Sequence, residues 1–310
     1  MSLLSHDEAK ALMTKVLSFS KSDECEVNLN GNDRGNIRYA RNAVSTSGRV
    51  SQSTLVVQSA YGKKMGVATI NEFDDASLEK VVRRSEELAR LAPENPEYMS
   101  VLGPQQYAES IMHIPSTAAI TPRQRSEMVA ESIAIAKENK VVAAGFLEDS
   151  TRYAAMMNSK GLFAYNTATS IDFSITVRTE DGKGSGYATR GYNDVTKLNT
   201  RAVTEVAVQK AVMSASAKAI EPGKYTVILE PTAAAVLVER IFFGLDARQA
   251  DEGRSFLSLP DGKTRLGEKL VDERVNFYSD PLNPELPTST WNGDGRPMEK
   301  VKKKKKGVVK

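Results

Sequence analysis

The side chains best suited to hold a transition metal are His6, His113 and Cys25, the two histidines and the single cysteine of the chain. Catalytic zinc needs about three protein donors from His, Cys, Asp or Glu, plus one open position. These three lie far apart in the N-terminal half, and each fits a structural place: His6 in a first helical turn, His113 in a loop near Pro115, Cys25 on the apolar face of a strand. A site made only of carboxylates would select magnesium or calcium, and no EF-hand spacing is present. Nucleophilic chemistry finds no better footing, because no Gly-x-Ser-x-Gly elbow occurs and two histidines leave little for a Ser-His-Asp arrangement. Gly182, Gly184 and Gly186 alternate without a helix directly behind them, which reads as a hairpin tip rather than a phosphate loop.

One carboxylate stands in a distinctive setting. Residues 221–231 read as a strand, centred on Tyr225–Leu229, that leads into a helix from Ala233 to Asp246. That helix is apolar nearly all round, the pattern of a buried helix. Glu239 then sits on a buried element and needs a partner, since a lone ionised carboxylate is costly to bury. Arg240, Arg248 or a group on another subunit could supply it, and both an ion pair and a functional role stay open.

The elements that would position these residues are an α+β set without βαβ rhythm. Ser5 and Glu8 have capping-box spacing ahead of a helix with Ala9, Leu12, Met13, Val16 and Leu17 on one face. Cys25, Val27 and Leu29 alternate with Glu24, Glu26 and Asn28 in a strand, and 36–44, 51–60 and 63–70 read as further strands. A helix follows over about 75–92, with Glu79/Arg83 and Glu86/Arg90 paired on its wet side. Pro93, Pro96, Gly103 and Pro104 mark a linker-like crossing. Thr121-Pro122 caps another helix, and Ile171, Phe173, Ile175 and Val177 form a strict period-2 strand closed by Asp181-Gly182. A helix near 200–217 precedes Glu221-Pro222-Gly223, where a domain boundary is expected. The expected layout is an N-terminal domain of antiparallel sheet with packed helices over 1–220, with a sub-boundary near 93–120. The start of a mixed, β-rich C-terminal domain follows over 221–310.

Composition narrows the partners. Hydrophobic residues at 40% and charged residues at 26% describe a globular chain. No apolar stretch nears the roughly 20 residues of a membrane span, and no signal peptide opens the sequence. A single cysteine suits a reducing cytoplasm. The net charge of +3 comes from the seven lysines of residues 300–310, so residues 1–299 sum to −4. A nucleic-acid binder spreads its basic residues over a folded face, so this distribution argues against one. The Lys302–Lys306 run reads as a solvated edge strand that discourages pairing, with a grip on an acidic partner as the second reading.

Against this background the helix resembles the segment of the TldD/PmbA family, named for modulation of DNA gyrase, that carries a His-Glu-x-x-x-His zinc motif followed by Gly-Leu. The motif falls on Val238-Glu239-Arg240-Ile241-Phe242-Phe243, with Gly244-Leu245 after it. Arg38–Asn42, Gly62–Ala68, Asp251–Ser255 and Asn292–Pro297 resemble other family segments, so the likeness runs over almost the whole chain. It departs where it matters for chemistry: Val238 and Phe243 stand in the two histidine places, and only Glu239 of the motif remains. The family's third ligand, a cysteine, lies in a continuation beyond Lys310, and the tail reads as a strand, a Gly turn and the start of a returning strand. The expectation is a C-terminally truncated chain whose second domain is incomplete.

The resemblance implies a chain of the PmbA (TldE) type, the subunit without zinc in a heterodimeric metallopeptidase that processes or degrades small or unfolded peptides. It implies no metal on this chain, zinc in a TldD-type partner, and a peptide or unfolded protein as substrate. The alternative is a non-enzymatic regulatory binder of the gyrase-modulator kind. An independent hydrolase using Glu239 with Asp246, Asp251 or Glu252 is a third reading.

Overall fold

The computed structural model describes residues 3–305 and 307–309; the side chains of the Lys302–Lys306 run lie outside the described residues. In chain order the elements are α1 (His6–Phe19), β1 (Glu24–Ala40), β2 (Ala43–Tyr61), β3 (Lys64–Ile70), α2 (Asp75–Leu91), α3 (Pro115–Ala118), α4 (Pro122–Glu138), β4 (Val141–Asn158), β5 (Phe163–Thr179), β6 (Ser185–Tyr192), α5 (Thr200–Ser214), α6 (Pro231–Phe243), α7 (Ala247–Asp251), β7 (Phe277–Ser279), β8 (Val301–Lys305) and β9 (Val308–Val309). The α+β class expected from the sequence is the one observed. The chain forms two compact units, residues 1–217 with 281–298, and residues 218–280 with 299–310.

The first unit is one antiparallel sheet in the order β3-β2-β1-β4-β5-β6. Odd-numbered residues of β1, β4 and β5 face the helices. Val27, Leu29, Leu55, Val57 and Tyr153 pack with α1 and α2 residues, while Ile37, Leu147, Phe173, Ile175 and Val177 pack with those of α4 and α5. The expected N-caps are present: Ser5 and Glu8, and Thr121 and Gln124, each make a complete capping box.

The central strands run longer than their apolar alternation suggests. The segments read as 24–29 and 36–44 join into one strand, β1, and the turn falls at Arg41-Asn42, both with left-handed backbone (φ 53° and 57°). Two glycines explain the bridging stretch. A Cβ on Gly31 would lie 2.2 Å from Cε1 of Tyr153, and one on Gly35 the same distance from the Arg125 guanidinium. Both are places where a neighbour crosses the strand too closely for any side chain.

Glu86 also departs from expectation. It is buried rather than on the wet side of α2, pairing with Arg83 at 2.8 Å and accepting from the Lys21 amide at 2.5 Å. Arg90 turns instead to the Tyr61 hydroxyl. The Pro- and Gly-punctuated crossing after α2 is an extended strap that stays within the first unit. Glu24 holds it, accepting from the Tyr98 hydroxyl at 2.6 Å and the Val101 amide at 3.0 Å, and also from Ser100, while Lys160 pairs with Glu24 at 2.7 Å. Burial alone would raise the Glu24 carboxyl, but the donors of Lys160, Ser100, Tyr98 and Val101 outweigh it and hold the pKa at about 2.

The second unit holds α6, α7 and the small sheet β7-β8-β9. The tail forms the expected strand, Gly turn and short return, with Gly307 at φ 74°. Its core is a cluster of Ala250, Leu257 and Val309, with Leu245 and Leu270 against it. Two expectations for this region fail. Tyr225–Leu229 is not a strand: no described strand lies beside it to complete a ladder, and Ile228 is 98% exposed. The following helix forms, but none of its residues is buried.

Candidate functional site

The helix singled out by sequence, α6, starts at Pro231 in the first helical position and ends at Gly244. A Cβ there would lie 2.4 Å from the Phe256 ring, so a larger residue would have to push that half-exposed ring aside. Ser255 Oγ donates to the Gly244 carbonyl at 2.5 Å, folding the 251–255 loop onto the helix end. Arg248 of α7 and Arg254 of that loop both bind Glu252 and hold its carboxyl below the usual range.

Glu239 is exposed, so the buried, paired carboxylate expected from the apolar pattern is corrected: water solvates it, and its side chain has no ion pair among the described residues. Val238 is half-buried and Phe243 exposed. Neither side chain has a donor atom, so the residues at this place do not fit a zinc ion. Among the described residues no three His, Cys, Asp or Glu side chains come together. His6 instead packs edge-on against Phe163 and Tyr165, His113 is exposed in its loop, and Cys25 is buried, its thiol pushed up by burial.

A second place was not singled out by sequence. On the sheet face opposite the helices, cross-strand register aligns two polar rows. One runs Gln52, Asn32, Arg152, Ala168 and the other Thr54, Asn30, Ala154, Asn166. They floor a cavity of about 430 Å³. The stretch from Pro287 to Trp291 borders it, tied down by Asn166 Nδ2, which donates to Ser289 Oγ at 2.9 Å. Ser289 Oγ in turn donates to the Trp291 carbonyl at 2.6 Å. Asn32 Oδ1 and Trp291 Nε1 are buried without a partner. The legible signal was the run Asn28, Asn30, Asn32, which supplies the polar half of an apolar/polar alternation.

Comparison with known proteins bears on the chain as a whole. Three family models match it in order: PmbA/TldA metallopeptidase domain 1 over residues 25–89, the central domain over 115–215 and the C-terminal domain over 222–310. The chain belongs to the PmbA/TldD family. No curated protein sequence matches it. Among solved structures it is similar to TldE from Thermococcus kodakarensis (18% identity, TM-score 0.82, covering 97% of this chain and 68% of that one). It is similar too to a candidate modulator of a DNA gyrase from Thermotoga maritima (17%, 0.85, 97% and 70%). A candidate modulator of DNA gyrase from Bacteroides thetaiotaomicron gives 18%, 0.82, 99% and 72%. At these identities the likeness speaks to the fold.

The segments that resemble the PmbA/TldD family have clear local roles. Arg38–Asn42 makes the β1–β2 turn, where the Asn42 side chain bridges to the Val141 carbonyl and the Ala143 amide, each at 2.7 Å. Asn292–Pro297 is a tight loop: Asn292 Oδ1 accepts from the amides of Asp294 and Arg296, and the Tyr107 hydroxyl donates to the Gly295 carbonyl at 2.7 Å. Among the described residues no helix is long and apolar enough to cross a membrane.

Proposed function

We propose that this chain is the subunit without zinc in a two-chain peptidase, pairing with a zinc-bearing TldD-type chain in the cytoplasm to handle small or unfolded peptides. The observation that carries the reading is chemical. At the motif-equivalent positions, Val238 and Phe243 offer no donor to a metal, while Glu239 stays solvated and would have no metal-bound water to deprotonate. Family membership and likeness to a protein described as TldE agree with it. So does the exposure of Val236, Leu237, Phe242 and Phe243 on α6, since grouped exposed apolar side chains mark interaction surfaces.

The test is co-expression with a zinc-bearing TldD-type chain. The expected result is co-elution on size-exclusion chromatography and peptide cleavage that neither chain gives alone. Separate elution under conditions where both chains are folded would sink the proposal. A regulatory binder is the second reading, favoured by the description of two structural neighbours as candidate modulators of DNA gyrase. It predicts an effect on gyrase supercoiling by the lone chain, with no cleavage.

A further inference from the structure

The Asn292–Pro297 loop carries a reactive dipeptide that neither reading of the function uses. Asn-Gly occurs twice in the chain, at Asn30-Gly31 and at Asn292-Gly293. In such a pair the backbone nitrogen of the glycine can attack the side-chain Cγ of the asparagine and close a five-membered imide. Glycine favours the attack because it has no Cβ to crowd the nitrogen or restrict the backbone. Ring closure then depends on what holds the carbonyl oxygen, the attacking nitrogen and the departing nitrogen.

At Asn292 each of the three is suitably placed. Oδ1 accepts from the Asp294 amide at 3.0 Å and from the Arg296 amide at 2.9 Å. Attack on Cγ puts negative charge on that oxygen, and two backbone N–H groups already point at it, as donors do in an oxyanion hole. The attacking nitrogen is free: Gly293 is exposed, and its amide donates to no group among the described residues. The departing nitrogen, Nδ2, is held only by a long 3.5 Å approach to Asp294 Oδ2. The loop backbone fixes this arrangement. The Asn292 amide donates to the Arg296 carbonyl at 3.0 Å, and the Gly295 amide donates to the Asn292 carbonyl at 2.9 Å. Asn30-Gly31 is the contrast within the same chain. Gly31 lies in β1 with β2 on one side and β4 on the other, so its amide belongs to the ladder and its backbone is locked.

We infer that Asn292-Gly293 is a self-modifying site, where the folded chain converts Asn292 to aspartate and isoaspartate through a cyclic imide. The Gly293 nitrogen bonds to Cγ and gives its proton to solvent. The Cγ–Nδ2 bond breaks, and Nδ2 takes a proton from solvent and leaves as ammonia. Water then opens the imide at one of its two carbonyls. Opening at Cγ restores the backbone and leaves aspartate, whereas opening at the backbone carbonyl leaves isoaspartate. Overall, water is consumed and ammonia released, with no oxidation or reduction. Either product adds a negative charge near Asp294 and near Glu26, whose carboxyl is raised by burial and further by the Asp294 charge. Isoaspartate also lengthens the backbone of the loop that the Tyr107 hydroxyl holds through the Gly295 carbonyl. The inference does not rest on the pairing proposal, since the reaction needs no second subunit and no metal.

The test is incubation of the full chain at neutral pH, followed by digestion and mass spectrometry. The amide-to-acid mass gain reports conversion, and labelling by a protein isoaspartyl methyltransferase reports isoaspartate. In the folded chain Asn292 should convert about tenfold or more faster than Asn30, yielding both aspartate and isoaspartate. In urea, where β1 no longer locks Gly31, the two sites should convert at similar rates. A Cβ at Gly293 meets no atom within 4 Å, so Gly293→Val keeps the loop. Its branched side chain crowds the attacking nitrogen and should slow conversion about tenfold or more. A circular-dichroism melt confirms that the variant folds. The inference is overturned if Asn292 stays an amide in the folded chain, or if Asn30 converts as quickly there. Conversion of Gly293→Val at the parent rate would overturn it too. So would aspartate without isoaspartate, which assigns the change to direct hydrolysis.

Discussion

Glu24→Gln tests how the strap after α2 is held to the sheet. The Glu24 side chain is 15% exposed and is bound by Lys160, Ser100, Tyr98 and the Val101 amide. Its pKa falls from 4.5 to about 2, because those donors outweigh the burial that would raise it. At about 1.36 kcal/mol per unit the full linkage is about 3 kcal/mol, and solvent around the 42%-exposed Lys160 lowers this to about 2 kcal/mol. A carboxyl whose folded pKa is depressed stabilises the fold above its unfolded value. That contribution is complete above about pH 4.5 and is lost as pH falls towards 2. Glu24→Gln should therefore cost about 2 kcal/mol at pH 7, or about 4–8 °C in Tm for a unit of this size. The deficit relative to the parent should shrink to less than half near pH 3. Urea unfolding followed by circular dichroism at both pH values measures it. An equal deficit at pH 7 and pH 3, or one under about 0.5 kcal/mol at pH 7, would refute the assignment of Glu24 as the ionised anchor of the strap.

Other outcomes follow from the same geometry. Arg125 and Asp149 form a mostly buried pair at 2.6 Å, so Arg125→Met should destabilise by about 3–5 kcal/mol in urea unfolding, because the buried Asp149 carboxyl loses its hydrogen-bonded guanidinium. Gly186→Ala places a Cβ 2.0 Å from the Ala207 carbonyl of α5 and should cost about 1–3 kcal/mol, with amide exchange in α5 accelerated. Arg41→Gly relieves a left-handed backbone at an exposed turn and should stabilise by about 0.5–1 kcal/mol in thermal melts. Val238→His with Phe243→His, which writes His-Glu-x-x-x-His into α6, should give no stoichiometric zinc binding by calorimetry. Two imidazoles fall short of the about three protein donors that catalytic zinc needs, and a tight site at this place would contradict the reading of α6.

Local signals were enough to locate much of the scaffold from the sequence. Capping boxes at Ser5 and Thr121 act through neighbours three residues away, and the alternation through Val27 and Leu29, or Phe173 and Ile175, reflects a sheet with one covered face. That Val238 and Phe243 carry no metal-donor atom is likewise a matter of residue type, visible without coordinates. Contacts distant in sequence decided the rest. The strand continues through Gly31 and Gly35 because Tyr153 and Arg125, more than 80 residues away, need the space a side chain would fill. Glu86 is buried because the Lys21 amide meets it there, and the amide rows form a groove only when four strands pair in register and Ser289 closes over Asn166. The exposure of α6 is the sharpest case. An apolar helix sequence states a need for burial, but whether anything covers it depends on the packing of the folded chain.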